Sequence, residues 1–469
     1  MLVISDPRAI HRIFNESVQD YPEAREVRRF VEMLSGKGVT WAIGEDHKRH
    51  RRVLGPAFST NHLRQFLPIF RGHAVRLAGK WTSELQGQDR NVDIIPWFHK
   101  VSLDIIGESV LNYQFHALDG KPNELTQTLY QLEEHGLDNT PLTTLLVALP
   151  RHIPSFLVAL QGKYFPTAIE KTSQRYLTLS NAKAKEVINK AGLDSVDSVS
   201  TGEKRARDVL SVLTHSNRQE DPKKRLSDAE ILAQIPTLIQ AGHHTTGYTL
   251  SWIFYELSAH PEDQAKVYRE IEQARERNPG EFTSSDYDSM AHLTLVLKEA
   301  MRLHSVIPSL DREAIKNDLL LLDFPVTSEN GKIMRELTVK KGQRIRIDMF
   351  NYNRLESVWG EGATEWDPSR HARMDLDSER KQARVGLFAN LLNFKGGGPK
   401  GCLGWRFALM EIQAIVVCLL ERFEFAIPPG LEVEPICPAV MTLVTPSVKG
   451  KEEEGPQLPL KITPRRVVG

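Results

Sequence analysis

Apolar residues recur at helical spacing along most of the chain, and few stretches alternate with the period of a strand. The clearest helix begins with a capping box at Ser227, where Glu230 is placed to bond back to the first turn. From there the pattern predicts one helix from about Asp228 to Ala259, which ends before Pro261. At 1.5 Å per residue this helix would be about 45–50 Å long, enough to span a domain. We therefore predict a helical body built around one long central helix.

Shorter elements follow the central helix. A second helix carries Glu299 and Arg302, and a third covers Phe407–Arg422. The runs Ile315–Leu322 and Arg344–Met349 have strand-like composition between Pro and Gly residues, and they predict a small sheet beside the helices. The predicted fold class is therefore mainly α with a small β-sheet region, an α+β arrangement.

Composition adds limits to this picture. The chain has 469 residues, of which 41% are hydrophobic and 26% charged, which excludes disordered, collagenous and coiled-coil classes. The formal net charge is +0, so there is no overall attraction to nucleic acid, and we expect none to bind. The three cysteines are too few for a disulfide framework, which favours a reducing compartment. The longest apolar runs fall short of the roughly 20 residues that cross a bilayer, so no transmembrane segment is predicted in this chain.

The sequence shows no internal repeat and no linker that would separate independent units. We therefore expect a single domain over residues 1–469. The polar, Ser-rich stretch Lys190–Lys224 is the best candidate for a mobile surface loop.

The middle of the predicted central helix, Gln240–Gly247, holds two glycines and several polar residues between apolar flanks. Glycine costs about 1 kcal/mol relative to alanine in a helix, so these glycines indicate that something approaches the backbone closely. A kink near Pro236 without functional meaning would explain them equally well. His243 and His244 suggest a metal, but neighbouring helical side chains diverge by about 100° and cannot chelate one ion. A zinc site would need further Cys/His clusters, and we find none in the sequence.

The segment Phe394–Gly404 places five glycines and a proline around Cys402, directly before a predicted helix. Backbone amides and a helix N-terminus stabilise a thiolate, so we expect Cys402 to be acidified and available as a metal ligand. An inert cysteine in a turn is the alternative. A phosphate-binding loop is excluded, because Cys402 and Leu403 stand where Lys and Ser/Thr are required. A cysteine hydrolase lacks an evident base partner.

Several motifs, taken together and in this order, resemble the cytochrome P450 family, and in particular haem-thiolate monooxygenases of the eukaryotic microsomal, fungal-like type. The segment AGHHTT at 241–246 resembles the oxygen-activation motif of the family's long central helix. Glu299 and Arg302 match its ExxR motif, and Arg370 matches the arginine of a following Pro-x-Arg segment. Cys402 lies in a loop similar to the haem-ligand loop. The resemblance covers essentially the whole chain.

The resemblance implies a bound haem b whose iron takes the Cys402 thiolate as axial ligand. It also implies that Thr245 helps to deliver protons to oxygen, with His244 as a second catalytic residue. Glu299, Arg302 and Arg370 would form a buried charge network that braces the ligand loop. Gly242 would let the central helix pass close over the haem. The other haem contacts implied by resemblance are Arg51, His47, Arg312, Lys400 and Phe394.

The implied reaction inserts one oxygen atom from O2 into a small hydrophobic substrate. Two electrons would come from NADPH through NADPH–cytochrome P450 reductase, with cytochrome b5 as a further candidate partner. Lys48 and Arg52 would face outward to dock the reductase, although a plain solvated basic face is the alternative. The resemblance also implies a monomer on the cytosolic face of the endoplasmic reticulum membrane, in secondary metabolism such as terpenoid biosynthesis. The substrate cavity would be lined by Leu34–Thr40, Ile235–Ala241, Val306–Leu310 and Glu452–Gln457.

The sequence departs from the family pattern at several points. His244 stands where the family usually has Asp or Glu, and we hypothesise that it keeps a proton relay with altered pH dependence. Phe394 is one residue further from Cys402 than in the family, and Lys400 replaces an arginine. The family's usual anchor helix, proline-rich hinge and first strand have no counterpart in this chain. Two other functions remain open, namely a haem-thiolate isomerase or dehydratase that needs no O2, and a catalytically silent haem-binding protein.

Overall fold

The structure is a computed structural model that describes residues 1–121, 123–137, 153–197, 208–376, 385–438 and 442–465. The helices are α1 Pro7–His11, α2 Arg25–Ser35, α3 Gly44–Leu54, α4 Thr60–Leu63, α5 Leu67–Leu85, α6 Ile95–Leu111, α7 Glu124–Leu137, α8 Ser155–Tyr164, α9 Ala168–Asp197, α10 Val209–Gln219, α11 Asp228–Leu232, α12 Gln234–Ala259, α13 Pro261–Arg277, α14 Ser284–Asp288, α15 Ala291–Leu303, α16 Met349–Tyr352, α17 Glu356–Trp359, α18 Ser369–Leu376 and α19 Trp405–Arg422. The strands are β1 Leu2–Ile4, β2 Arg90–Asp93, β3 Ser309–Glu313, β4 Asp318–Thr327, β5 Ile333–Val339, β6 Arg344–Asp348, β7 Phe423–Ala426, β8 Val433–Ile436, β9 Thr445–Val448 and β10 Pro459–Pro464.

The predicted central helix is present, but it is divided in two. The Ser227 capping box starts α11 as expected, and the chain then breaks the helix at Ala233 before α12 runs on to Ala259. The prediction of one uninterrupted helix from Asp228 is therefore wrong at this point. Pro236 lies in the first turn of α12, where a missing N–H costs no helical hydrogen bond. The chain therefore has a boundary between α11 and α12 near Pro236, and not a kink within one helix.

The two glycines in α12 are explained by its packing against α6. A Cβ atom at Gly242 would lie 2.5 Å from the Cγ1 and Cδ1 atoms of Ile106, and one at Gly247 would lie 2.3 Å from Cδ2 of His99. Both contacts are shorter than any real Cβ contact, so the two helix axes approach closely because these positions lack side chains. The interpretation of Gly242 as clearing space for the haem is therefore corrected, because the close neighbour is Ile106 on α6.

The core surrounds α12 and contains large apolar side chains together with several buried polar groups. Ile253, Phe254 and Leu257 on α12 are fully buried, and the Phe254 ring lies 5.1 Å from that of Phe98 on α6. On its far side, α19 buries its own apolar face, including Phe407, which packs edge-on against Phe70 of α5. The burial of these large side chains, each worth about 1.5–3 kcal/mol, holds the helical body together.

Small sheets lie beside the helices, as predicted. Strand β6 pairs in parallel with β1 and antiparallel with β3, while β10 joins β2 and β7 in an antiparallel sheet. The pairs β4–β5 and β8–β9 form separate two-stranded sheets. The two sequence-predicted strands correspond to β4, which begins three residues later than expected, and to β6. The mainly helical fold class with a small sheet region is confirmed.

The polar stretch Lys190–Lys224 is not the loop that we expected. Helix α9 continues to Asp197 and α10 covers Val209–Gln219, while residues 198–207 of the stretch lie outside the described part of the chain. Among the described ranges, every helix is too short or too polar to cross a membrane.

The α6–α12 contact predicts that a Gly→Ala substitution is destabilising at Gly242, whereas the same substitution is stabilising at a helical glycine outside this contact. We expect Gly242→Ala to lower the free energy of unfolding by about 1–3 kcal/mol, because Ile106 must move to admit the methyl group. Gly79→Ala in α5 is the matched control: its added Cβ would meet nothing within 4 Å. It should stabilise the protein by about 0.5–1 kcal/mol. Denaturant unfolding of both variants checks this, and a Gly242→Ala protein as stable as the parent would contradict it.

Candidate active site

The glycine-rich loop before α19 folds back on itself around Cys402. The Cys402 backbone N–H donates to the Phe394 carbonyl oxygen over 2.8 Å. Gly396 and Gly398 have φ angles of 65° and 77°, which glycine adopts without strain. A Cβ at Gly398 would also lie 2.2 Å from the Phe14 carbonyl oxygen, so the loop packs against the first helical segment only with glycine there. Phe394 thus belongs to the loop through its backbone.

The loop by itself does not acidify the thiol. Burial of the sulfur raises the pKa of Cys402, and the amide of Gly404 and the charges of Lys395 and Arg51 oppose this only in part. The expectation that amides and a helix N-terminus would produce a thiolate is therefore corrected. A metal cation would change the balance, because a coordinating thiol is deprotonated outright.

Basic side chains converge on a buried carboxylate beside this loop. Nη1 of Arg312, which is 3% exposed, lies 3.8 Å from Oε1 of Glu23. Burial would raise the pKa of Glu23, but the positive charges around it bring the pKa below its ordinary value. The basic groups that act on it are Arg312, Lys395, Lys400 and His47. The sequence analysis missed Glu23 and Lys395, because nothing in their local sequence signals this contact.

Arg51 and His47, both on α3, face the same group of charges. Nη1 of Arg51 donates to the Gly401 carbonyl oxygen over 2.8 Å, and Nζ of Lys400 donates to that of Ala42 over 3.1 Å. Burial, with Lys400 and Arg51 nearby, lowers the pKa of His47 to about 4, so this histidine is neutral at pH 7. The structure therefore brings Arg51, His47, Arg312 and Lys400 together near Glu23 and the Cys402 loop, and their contact with haem stays a prediction.

The ExxR pair is fully buried. Nε and Nη2 of Arg302 donate to the two carboxylate oxygens of Glu299, each over 2.8 Å. Burial would raise the pKa of Glu299, but its hydrogen bonds with Arg302 and His371 keep it below the ordinary value. The third predicted member, Arg370, is more distant, with Nε 3.6 Å from Glu299 Oε1, and donates mainly to backbone carbonyls such as that of Trp359. His371, 3.0 Å from Glu299, is the partner that the sequence analysis missed.

This pair connects to the ligand loop through two asparagines. Nη1 of Arg302 donates to the Asn353 carbonyl oxygen over 2.8 Å. The Asn353 side chain donates to Oδ1 of Asn393 over 2.9 Å, and Asn393 in turn donates to the Met301 carbonyl oxygen over 2.6 Å. Asn393 directly precedes Phe394, so the buried charges are joined to the start of the loop.

On α12, Thr245 and His244 point in different directions. Thr245 is half-buried and its hydroxyl donates to the carbonyl oxygen of Ala241, one turn earlier, over 2.8 Å. His244 is buried, and its Nε2 lies 3.4 Å from Oε2 of Glu133 on α7. Nδ1 of His99 on α6 lies 3.0 Å from the other oxygen of the same carboxylate. The sequence analysis missed Glu133 and His99, because residues from separate helices meet only in the folded chain.

Two of the four segments expected to line the substrate cavity contact each other. In Leu34–Thr40, the Val39 N–H donates to Oε1 of Gln234 over 2.9 Å. The hydroxyl of Thr237, in Ile235–Ala241, lies 3.2 Å from the Ser35 carbonyl oxygen. A cleft of about 250 Å³ is lined by Gly36, Lys37, Leu177, Asn181, Ala229, Glu230, Ala233 and Pro236, so it reaches both segments.

The third segment, Val306–Leu310, meets the connection between β8 and β9, where the Val444 N–H donates to the Val306 carbonyl oxygen over 2.8 Å. The fourth expected segment, Glu452–Gln457, is elsewhere. Its Pro456 lines a second cleft together with His99 and Glu133. The segment 452–457 lies next to β9, where the Gln457 N–H donates to the Pro446 carbonyl oxygen over 3.0 Å, and its place in the substrate cavity stays a prediction.

A further buried carboxyl group lies on α19. Glu411 is fully buried, and neither of its oxygens makes a hydrogen bond of normal geometry. Burial raises its pKa well above the ordinary value, and only the hydroxyls of Ser102 and Thr246 act in the opposite direction. Burial therefore favours the protonated form of Glu411, at the meeting point of α6, α12 and α19.

Comparison with known proteins assigns this fold and site to a family. The family model described as Cytochrome P450 matches residues 1–451. Cytochrome P450 monooxygenase 205 of Postia placenta is 32% identical over 99% of this chain and 84% of its own. Ganoderic acid synthetase of Ganoderma lucidum is 30% identical over 91% of this chain and 79% of its own. The crystal structure of a cytochrome P450DA heme domain matches with a TM-score of 0.72 and 21% identity, over 99% of this chain and 88% of that one, which shows the shared fold.

The chain belongs to the cytochrome P450 family. This family carries haem with a cysteine thiolate ligand, and the residues present fit that group. Near the Cys402 loop, the side chains of Arg51, Arg312, Lys395 and Lys400 are cationic, and the carboxylate of Glu23 lies among them. This excess of positive charge in a poorly solvated region fits a ligand that brings its own carboxylates, as the two haem propionates do.

Two buried carboxyl groups predict opposite responses to the same conservative change. We expect Glu299→Gln to lower the free energy of unfolding by about 3–5 kcal/mol, because it leaves Arg302 buried without its counter-charge. Glu411→Gln should lose no stability at pH 7 and should gain some, because burial disfavours the charged carboxylate and the amide removes that penalty. Urea unfolding of the two variants measures the difference, and equal losses would contradict the assignment.

The raised pKa of Glu411 also gives a pH dependence with a defined sign. The contribution of the protonated Glu411 carboxyl to the free energy of unfolding is complete below the unfolded pKa of about 4.3. This contribution is lost as the pH rises toward the pKa of Glu411 in the folded protein. The stability of the parent relative to Glu411→Gln should therefore fall as the pH rises from about 4.3 toward the pKa of Glu411 in the folded protein. A constant difference over this range would show that Glu411 is not protonated in the folded protein.

Proposed function

We propose that the protein is a haem-thiolate monooxygenase that inserts one oxygen atom from O2 into a small hydrophobic substrate. The observation that carries this proposal is the position of Cys402, in a loop joined to the buried Glu299–Arg302 pair and flanked by an excess of cationic side chains. We propose one functional domain over residues 1–469. The relatives named as monooxygenases support the reaction class.

The roles of the residues follow from their positions. Bound haem supplies oxygen activation at an iron whose thiolate ligand favours O–O cleavage. Cys402 would hold the iron, and Arg51, Arg312, Lys400 and neutral His47 would hold the propionates. Phe394 would shape the ligand loop through the hydrogen bond that its carbonyl oxygen accepts from the Cys402 N–H.

Proton delivery is assigned to α12. The Thr245 hydroxyl occupies the half-buried face of the helix, where it can donate or accept a proton. His244, with Glu133 and His99 behind it, would pass a proton inside the fold, since its ring nitrogen lies 3.4 Å from the Glu133 carboxylate. Where the family usually has a carboxylate, this chain has His244. The carboxylate beside it comes from Glu133 on α7.

The remaining assignments rest on family membership. Electrons would come from NADPH through NADPH–cytochrome P450 reductase, or from cytochrome b5, with Lys48 and Arg52 as the exposed docking residues on α3. We propose a monomer at the cytosolic face of the endoplasmic reticulum membrane. A place in secondary metabolism, such as terpenoid biosynthesis, is supported by the relative named as a ganoderic acid synthetase.

The axial ligand is tested by the spectrum of the reduced, CO-bound protein. We expect the red-shifted Soret band that thiolate ligation gives, and we expect Cys402→Ser to lose it. Cys418→Ser, which alters a buried cysteine on α19, is the control and should keep the band. A red-shifted band in Cys402→Ser would overturn the proposed ligand. Turnover of a substrate without NADPH would instead favour an isomerase or dehydratase, and a correct spectrum without reduction by the reductase would favour a silent haem protein.

The proton relay is tested by restoring the family's carboxylate at position 244. Burial would raise the pKa of Glu133, but His99 and His244 hold it well below the ordinary value. His244→Asp places a second carboxylate beside Glu133, so we expect a loss of stability of about 2–3 kcal/mol. The double variant His244→Asp with Glu133→Gln should recover most of it. Full stability of the single variant would show that Glu133 and His244 do not interact.

A further variant at position 244, His244→Asn, tests proton delivery itself. In NADPH oxidation by the reconstituted protein, His244→Asn should raise the fraction of electrons lost to peroxide and should change the pH profile, because an amide cannot shuttle a proton. An unchanged pH profile and peroxide yield would exclude His244 from the relay.

A further inference from the structure

Three side chains from three different helices meet in the interior with their ligand atoms facing one another. His99 comes from α6, Glu133 from α7 and His244 from α12. One ring nitrogen of each histidine and one carboxylate oxygen all lie within 4.8 Å of one another. The sequence analysis rejected a metal at His244 because the chain offers no nearby cluster of ligands, but folding supplies the second histidine and the carboxylate from a distance.

The separations within this cluster are those of a metal-ligand set. Nδ1 of His99 is 3.0 Å, and Nε2 of His244 3.4 Å, from the oxygens of Glu133. Ligands about 2.0–2.2 Å from a tetrahedral Zn²⁺ are separated from one another by roughly 3.3–3.5 Å. One ion among these three atoms therefore requires only small side-chain movements.

The polar atoms of the cluster are not otherwise satisfied. His244 is 6% exposed and its Nε2, although directed at the carboxylate, makes no hydrogen bond of normal geometry. A buried nitrogen without a hydrogen-bond partner lowers the stability of the folded protein. A metal ion that accepts its electron pair would remove this loss. The adjacent His243 is not a fourth ligand through Nδ1, because that atom is directed at the Ile239 carbonyl oxygen over 2.8 Å.

The cluster also has a supporting neighbour and an entrance. The Tyr248 hydroxyl lies 3.5 Å from Oε1 of Glu133, where it can orient the carboxylate. An open cleft of about 270 Å³ is lined by His99, Glu133 and Tyr248, so an ion can reach the ligands from the surface. Gly247 leaves room for His99, because a side chain at position 247 would overlap the imidazole.

We propose that His99, Glu133 and His244 form a binding site for a divalent transition-metal ion, with Zn²⁺ as the best match. Two imidazoles and one carboxylate are the ligand types that Zn²⁺ prefers, and the fourth position faces the cleft, where water can occupy it. This site is separate from the haem ligand, Cys402.

The site has a consequence for the reaction, and this part rests on the proposed function. An imidazole whose Nε2 binds a metal cannot carry a proton on that atom. Occupation by Zn²⁺ would therefore withdraw His244 from proton delivery, and the metal would act as an inhibitor of NADPH-driven turnover without displacing substrate.

Metal binding is measured on the haem-loaded protein without reductase or substrate, so its result does not depend on oxygenation. The protein is prepared without a histidine tag, treated with a chelator and equilibrated with Zn²⁺. The bound zinc is then determined by elemental analysis. We expect the parent to bind one more Zn²⁺ per chain than Glu133→Gln, or to bind it at least about tenfold more tightly. His116→Gln is the matched control, because it removes an exposed histidine that also faces a carboxylate, that of Asp119, at 3.4 Å. It should bind zinc as the parent does.

Equal zinc binding by the parent and Glu133→Gln would overturn the proposal, as would no binding by the parent. Zinc X-ray absorption on the parent protein keeps the test independent of whether any variant folds. A first shell with two imidazoles and a carboxylate is expected, and a shell with one imidazole or none would refute the site.

Discussion

The buried ion pair between Glu299 and Arg302 fixes the part of the molecule on which the chemistry depends. Both side chains are fully excluded from water, so each charge is tolerable only with the other in place. Arg302 also donates to the carbonyl of Asn353, and from there hydrogen bonds reach Asn393 and the beginning of the cysteine loop. A loop rich in glycine would otherwise have many conformations, so its single arrangement depends on this anchored segment.

The second constraint is the close approach of α6 to α12. Gly242 and Gly247 admit the side chains of Ile106 and His99 against the backbone of the central helix. This contact places His99 beside His244, whereas Thr245 remains on the half-buried face. One helix thereby separates two environments, an interior charge cluster on one side and a partly exposed hydroxyl on the other.

Much of the architecture could be predicted from local signals. The capping box at Ser227, the strand at Arg344 and the ExxR spacing depend on residues close together in sequence, and each is found where expected. His371, Glu23 and Glu133 could not be found in this way, because their partners lie 72 residues or more distant in the chain or on other helices. The pKa of Cys402 was mispredicted for a related reason, since amide donors are visible in a sequence but burial is not.

The contact between Glu133 and His244 limits the routes by which this sequence could change. A descendant that acquired an acidic residue at position 244 while keeping Glu133 would place two carboxylates side by side. Replacement of Glu133 first would avoid this pair of like charges and is therefore the milder intermediate. The order of substitution is therefore fixed by electrostatics, and relatives with an acidic residue at 244 should carry a neutral or basic residue in place of Glu133.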